Sequence, residues 1–140
     1  MILPDVNVLI YAFRQDVPEH ALCRTWLERE IAGDAPFGIS PLTLAAVVRI
    51  TTHTRNAGAS SLAEAFVFCD YLLGQPNCQV VAPGARHWEI FQRLCLETNT
   101  RGAMATDAWY AALAIEWGCE WITFDRDFAR FPGLKWSLPE

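Results

Sequence analysis

The chain has 140 residues, 52% of them hydrophobic, and a formal net charge of −5. This length suits one domain over residues 1–140 with a substantial core, and no apolar run reaches the roughly 18 residues of a membrane span. The acidic balance excludes a general nucleic-acid coat protein, which would present a basic face.

The first half of the chain alternates between short apolar strands and helices. In order, we expect a strand at 2–4, a helix at 8–13, a helix from 16 to about 31, a strand at 37–39 and a helix from 40 to about 53. Asp16 and Ser40 are expected to cap the helices that follow them. Leu22, Trp26 and Leu27 should share the buried face of the second helix.

The second half repeats this alternation. In order, we expect a helix at 61–73, a strand at 78–81, a helix ending near 98, a helix from about 106 to 117, a strand at 121–123 and a short strand near 134–136. Ser61 and Glu64 form a capping box, and Gly118 suits a left-handed helix end. The alternation predicts a three-layer α/β/α domain with a mostly parallel sheet of four to five strands.

The cysteines bear on the cellular compartment. There are five, an odd number, and none of them forms a close pair with metal-binding spacing. The N-terminus lacks the pattern of a signal peptide. We therefore expect reduced core thiols and a cytoplasmic protein.

Acidic residues fall at the ends of two predicted strands. Asp5 ends the first strand, Asp125 and Asp127 follow the strand at 121–123, and Asp107 lies in the first turn of the preceding helix. Strand ends and helix starts of a parallel sheet share one edge, where such sheets bind ligands. Carboxylates in one pocket resist ionising together unless a cation joins them. Oxygen ligands favour Mg²⁺ or Mn²⁺.

Each acid also has a purely structural interpretation. Asp107 could serve only to complement the helix dipole, and Asp125 and Asp127 could cap a short turn. Asn7 could hydrogen-bond Asp5 or simply cap the following helix, and the sequence favours neither. Asp5 is the least easily explained by structure, because it lies between apolar residues without a turn signal.

Four segments together resemble a known family. They are Leu3-Pro4-Asp5-Val6-Asn7 with the residues to 12, Ile39-Ser40-Pro41 with Arg49, Thr106-Asp107-Ala108-Trp109-Tyr110 with the residues to 114, and Thr123-Phe124-Asp125-Arg126-Asp127-Phe128 with the residues to 134. In this order and spacing they resemble PIN-domain ribonucleases, specifically the VapC toxins of VapBC toxin–antitoxin pairs. The resemblance covers essentially the whole chain.

The resemblance implies a Mg²⁺-dependent endoribonuclease that leaves a 5′-phosphate and a 3′-hydroxyl. It also implies inhibition by a cognate VapB-type antitoxin and a homodimeric state. Asp5, Asp107 and Asp125 match the family's metal-binding acids, with Asp127 a neighbour that shares the catalytic role. Asn7, Arg49 and Thr123 are candidates for contacting the RNA substrate.

One position departs from the family pattern. The glutamate expected three residues before Arg49 is replaced by Ala46. Three acids can still hold one Mg²⁺ that keeps several waters, so we expect weakened metal affinity. The alternative function is a catalytically weak or inactive PIN-like module that binds RNA or an antitoxin. A phosphotransfer domain is disfavoured, since an aspartyl phosphatase would need an aspartate where Asn7 stands.

Overall fold

A parallel β-sheet forms the centre of the computed structural model, which describes all 140 residues. Its strands are β1 (Ile2–Pro4), β2 (Phe37–Ile39), β3 (Cys78–Val80), β4 (Glu120–Ile122) and β5 (Trp136–Ser137). They lie in the order β3-β2-β1-β4-β5, and every neighbouring pair is parallel. The predicted sheet is therefore confirmed, with five strands.

The connections between the strands contain helices. These are α1 (Val6–Phe13), α2 (His20–Ala32), α3 (Pro41–Thr51), α4 (Leu62–Leu73), α5 (His87–Thr98) and α6 (Met104–Trp117), with a short 3₁₀ helix at Arg126–Arg130. Side chains of α1 to α4 pack in one hydrophobic cluster, whereas those of α5 and α6 pack in a second. Helices thus cover both faces of the sheet. None combines the length and apolarity that crossing a membrane requires.

The strand order creates a switch point beside β1. The chain leaves β1 towards β2 and β3 and later returns to β4 on the other side of β1. Pro4 pairs with Ile122, so Asp5 and Thr123 leave the sheet side by side. The backbone N–H of Asp5 also donates to the Ile122 carbonyl at 2.8 Å. The crevice outside such strand ends is where open α/β sheets bind ligands.

Several local predictions hold. The Ser61 hydroxyl accepts from the Glu64 backbone N–H while the Glu64 carboxylate accepts from the Ser61 backbone N–H, which confirms the capping box at α4. Gly118 ends α6 with a left-handed φ of 66°. All five cysteines are free thiols, as expected.

Other predictions about the helices were wrong in detail. Asp16 does not cap α2; its carboxylate instead accepts from the Arg14 guanidinium at 2.6 Å, and α2 begins only at His20. Leu22 is 50% exposed, because the buried face follows Cys23, Trp26 and Leu27. The Ser40 side chain stands at the start of α3 without forming a capping hydrogen bond.

Candidate active site

Asp5 is held rigidly where β1 meets α1. Its carboxylate caps α1 by accepting from the backbone N–H of Val6 at 2.6 Å. The other carboxylate oxygen accepts from the Thr123 hydroxyl at 2.6 Å and from the Asn7 amide at 3.3 Å. The residue is only 7% exposed. A buried carboxylate with several donors has one fixed orientation, as a ligand or catalytic group requires.

Thr123 joins the ends of β1 and β4. Its buried hydroxyl donates to Asp5 and accepts from the backbone N–H of Asp125 at 3.0 Å and the Asn7 amide at 3.3 Å. Asn7 also accepts from the backbone N–H of Phe124 at 3.4 Å. Of the two roles left open for Asn7, the structure shows the hydrogen bond to Asp5, whereas Asp5 itself caps α1. Both side chains therefore position the carboxylate.

The acids lie close enough to act on one another's ionisation. Burial raises the pKa of Asp5 to about 6, against the donors Thr123 and Val6, and the charges of Asp107 and Asp125 raise it further. Burial likewise raises the pKa of Asp107, which the charges of Asp125 and Asp127 also raise. The cluster therefore carries negative charge that the protein compensates only in part.

Asp125 combines a structural and an electrostatic role. Its carboxylate accepts from the backbone N–H of Asp127 at 2.9 Å and so caps the 3₁₀ helix, as the structural interpretation expected. The same side chain contributes to the field at Asp5 and Asp107. Asp127 is exposed, and its charge raises the pKa of Asp107.

The donor chemistry of this cluster fits a hard divalent cation. Carboxylate, amide and hydroxyl oxygens are the ligands that Mg²⁺ and Mn²⁺ prefer. Burial is the main cause of the raised pKa of Asp5, and the negative charges of Asp107 and Asp125 add to it. In the present side-chain positions no three acidic, imidazole or thiol groups converge closely enough to enclose an ion. Asp5, Asp107 and Asp125 are the residues that would hold one.

Arg130 lies beside Asp107, although no motif in the sequence points to it. Its Nη2 lies 3.5 Å from a carboxylate oxygen of Asp107, and its Nη1 donates to the backbone carbonyl of Asp127 at 2.9 Å. Arg130 lowers the pKa of Asp107, against the effect of burial. One feature of the sequence could have indicated this position. Arg130 follows Asp127 by three residues, and residues three apart lie over one another in a 3₁₀ helix.

Arg49, by contrast, does not reach the acids. It is exposed on α3 and forms none of the ion pairs of the structure. Its charge acts on Tyr110 of α6, as does the charge of Asp5. Burial raises the pKa of the Tyr110 hydroxyl, the charge of Asp5 raises it further, and the charge of Arg49 lowers it. The charges of Asp5 and Arg49 thus act on Tyr110 in opposite directions.

The whole chain matches one family. A PIN-domain family model matches residues 2–134. The "Ribonuclease VapC25" of Mycobacterium tuberculosis is 39% identical over 140 residues, which cover 99% of each chain. The chain is a VapC-type member of the PIN-domain family. "Ribonuclease VapC31" of the same species is 38% identical, again over 99% of each chain.

Solved structures share the fold of this VapC-type chain at low sequence identity. VapBC2 from Rickettsia felis, bound to a DNA fragment from its promoter, superposes with a TM-score of 0.76 at 18% identity and covers 100% of both chains. Mycobacterium tuberculosis VapC20, described as a sarcin–ricin-loop-cleaving toxin, has a TM-score of 0.70 at 14% identity and covers 96% of this chain and 99% of its own. The VapC-type sequence is thus matched by a PIN-domain architecture along its full length.

Proposed function

We propose that this chain is a Mg²⁺-dependent endoribonuclease, with Mn²⁺ as a possible substitute, and the toxin of a type II toxin–antitoxin pair. The observation that carries the proposal is the group of acids at the switch point, with Asp5 buried and fixed by Thr123. Relatives that are 38–39% identical over the full chain are named ribonucleases.

Each residue has a distinct part in the proposed reaction. Asp5, Asp107 and Asp125 would hold the cation, which would stabilise charge on the phosphodiester and make water a stronger acid. Asp125, which is partly exposed, would accept a proton from the attacking water. Thr123 and Asn7 keep Asp5 oriented throughout.

Cleavage of RNA by purified protein tests this proposal. We expect cleavage in Mg²⁺, its loss in EDTA, and its loss on Asp107→Asn in Mg²⁺. The matched control is Asp34→Asn. Asp34 is an exposed acid in the loop before β2, at the N-terminal end of the strands and away from the candidate site, and this variant should cleave RNA like the wild type. Equal cleavage with Mg²⁺ and with EDTA would contradict the proposal.

The competing function is a PIN-like module without catalysis, and Ala46 is the observation that favours it. Ala46 supplies no carboxylate from α3, so the cation has at most the acids of β1, α6 and the 3₁₀ segment. RNA or antitoxin binding without cleavage at any Mg²⁺ or Mn²⁺ concentration would support this alternative.

A partner antitoxin has a suitable surface on α4. A groove of about 610 Å³ between α2 and α4 is lined by Leu27, Ile31, Val67, Phe68 and Tyr71 among others. Val67 is 70% exposed and Tyr71 is 49% exposed. We propose that an apolar helix of a VapB-type antitoxin lies in this groove, since amphipathic helices recognise such surfaces.

Charge substitution in the groove tests the antitoxin proposal. Val67→Glu should weaken the complex with an antitoxin encoded beside the gene by tenfold or more, on the order of 1.4 kcal/mol, and leave RNA cleavage by the free toxin intact. Unchanged affinity would exclude the groove. The homodimer implied by the family resemblance remains a prediction, which sedimentation of the free chain measures.

A further inference from the structure

The Arg130 guanidinium is held in place by two contacts that do not involve a carboxylate, one with an aromatic ring and one with a backbone carbonyl. Its central carbon lies 4.4 Å from the centroid of the Phe131 ring, and its Nη1 donates to the Asp127 carbonyl at 2.9 Å. Phe131 is itself 2% exposed and belongs to the core. A cation over the face of a buried ring, with one nitrogen fixed by a carbonyl, is well positioned before any ligand arrives.

The contact between Arg130 and Asp107 is the weakest of the three. A single nitrogen approaches one carboxylate oxygen at 3.5 Å, and the two side chains are 24% and 33% exposed. Ion pairs of this kind contribute little to stability. A guanidinium carries five N–H donors, of which two are engaged here. Arg130 can therefore exchange Asp107 for another anion while its other contacts persist.

The crevice needs such a cation. A chain of net charge −5 must bring RNA phosphates next to Asp5, Asp107, Asp125 and Asp127. Arg130 is the one cationic side chain that forms an ion pair with any of these acids. Arginine also matches phosphate geometry with two parallel hydrogen bonds.

We propose that Arg130 is an RNA-binding residue that donates to a backbone phosphate of the substrate. In the free protein it partly neutralises Asp107, and on RNA binding the guanidinium turns its free donors to the phosphate. This inference rests on the proposed ribonuclease function and adds to it a protein group that contacts the substrate.

RNA binding measures this contact directly. Fluorescence anisotropy of a labelled single-stranded RNA is followed in an Asp5→Asn background, so that the RNA stays intact. Adding Arg130→Ala should weaken binding about tenfold and reduce the slope of log K against log salt by about 0.7, the value for one phosphate contact on a single strand. Adding Arg130→Lys should keep the salt slope and lose only part of the affinity.

The control is Arg29→Ala. Arg29 lies in the last turn of α2, near the N-terminal ends of the strands and so away from the acids. The side-chain amide of Asn77, just before β3, donates to the carbonyl of the neighbouring Glu30, which fixes this position. Arg29→Ala should leave both the affinity for RNA and its salt dependence unchanged. If Arg130→Ala behaves like Arg29→Ala, the inference is overturned and Arg130 is only a counter-ion of Asp107.

Calorimetry with Mn²⁺ alone, on the otherwise wild-type chain, separates phosphate binding from a structural role. Arg130→Ala should bind Mn²⁺ at least as tightly as the wild type, because it removes a cation that competes for Asp107. Weaker Mn²⁺ binding with an unchanged salt slope would show that Arg130 merely shapes the site. A wild-type chain that never cleaves RNA refutes the proposed function; cleavage by the wild type with unaltered RNA binding by Arg130→Ala refutes this inference alone.

Discussion

Replacing Asp5 with asparagine separates catalysis from stability, because the two should change in opposite directions. The pKa of Asp5 is about 6 in the folded chain and 3.8 when unperturbed. At about 1.36 kcal/mol per pKa unit, keeping this carboxylate ionised in the metal-free fold costs about 3 kcal/mol. Asparagine has nearly the same shape and no charge, so it removes that cost.

The pH dependence follows from the raised pKa. Below about pH 4 the carboxyl is protonated in both folded and unfolded chains, and its burial costs nothing. Between about pH 4 and 6 the unfolded chain releases the proton first, so stability falls as pH rises, and above about 6 the full cost is present. The advantage of Asp5→Asn should therefore appear at neutral pH and vanish near pH 4.

The net stabilisation by Asp5→Asn is smaller than the cost of the buried charge that it removes. The carboxylate accepts hydrogen bonds from Val6, Thr123 and Asn7, and the amide loses about 1 kcal/mol by matching them imperfectly. About 2 kcal/mol remains, which corresponds to a melting temperature roughly 5 °C higher for a chain of this size.

The assay is thermal unfolding in EDTA at pH 7.5 and at pH 4, with RNA cleavage in Mg²⁺ measured on the same preparation. Asp5→Asn should melt higher at pH 7.5 only, and it should not cleave RNA. The control Asp34→Asn should match the wild type in both respects. A lower melting temperature for Asp5→Asn at pH 7.5 would refute the reasoning about the buried charge, and retained cleavage would remove Asp5 from the mechanism.

Three further substitutions test the site and the sheet. Thr123→Val removes the donor to the buried carboxylate and should cost about 1–3 kcal/mol in denaturant unfolding, with slower RNA cleavage; unchanged values would show that the hydroxyl is dispensable. Ala46→Glu should lower the Mg²⁺ concentration for half-maximal cleavage, whereas the exposed neighbour Ala45→Glu should not; equal effects would make the missing glutamate irrelevant. Gly38→Ala would place a Cβ 2.8 Å from the side chain of Val81 and should lower stability by about 1–3 kcal/mol, with no loss indicating that β2 can shift.

Local signals in the sequence predicted the elements well. The capping box at Ser61 and the left-handed Gly118 involve only residues close by in the chain, so the local sequence is sufficient to predict these helix ends. The same holds for Asp5, whose charge in an apolar stretch has no local structural explanation except the cap that it provides. The alternation of strands and helices then determined the layered architecture.

Features that depend on tertiary contacts were less accessible. Leu22 and Cys23 are adjacent and both apolar, so only packing decides which of them is buried. The role of Thr123 depends on the pairing of β1 with β4, and strand order is not written in either segment. Arg130 belongs to the site because the 3₁₀ helix folds its side chain back towards Asp107 on α6, a distant segment.

The most direct test of the central claim is a crystal of this chain soaked in Mn²⁺ and measured at a wavelength where manganese scatters anomalously. We predict an anomalous peak in contact with the carboxylates of Asp5 and Asp107, within reach of Asp125, and no such peak in Asp5→Asn crystals. A wild-type chain that cleaves RNA but shows no manganese among these acids would contradict the claim that they form the metal centre.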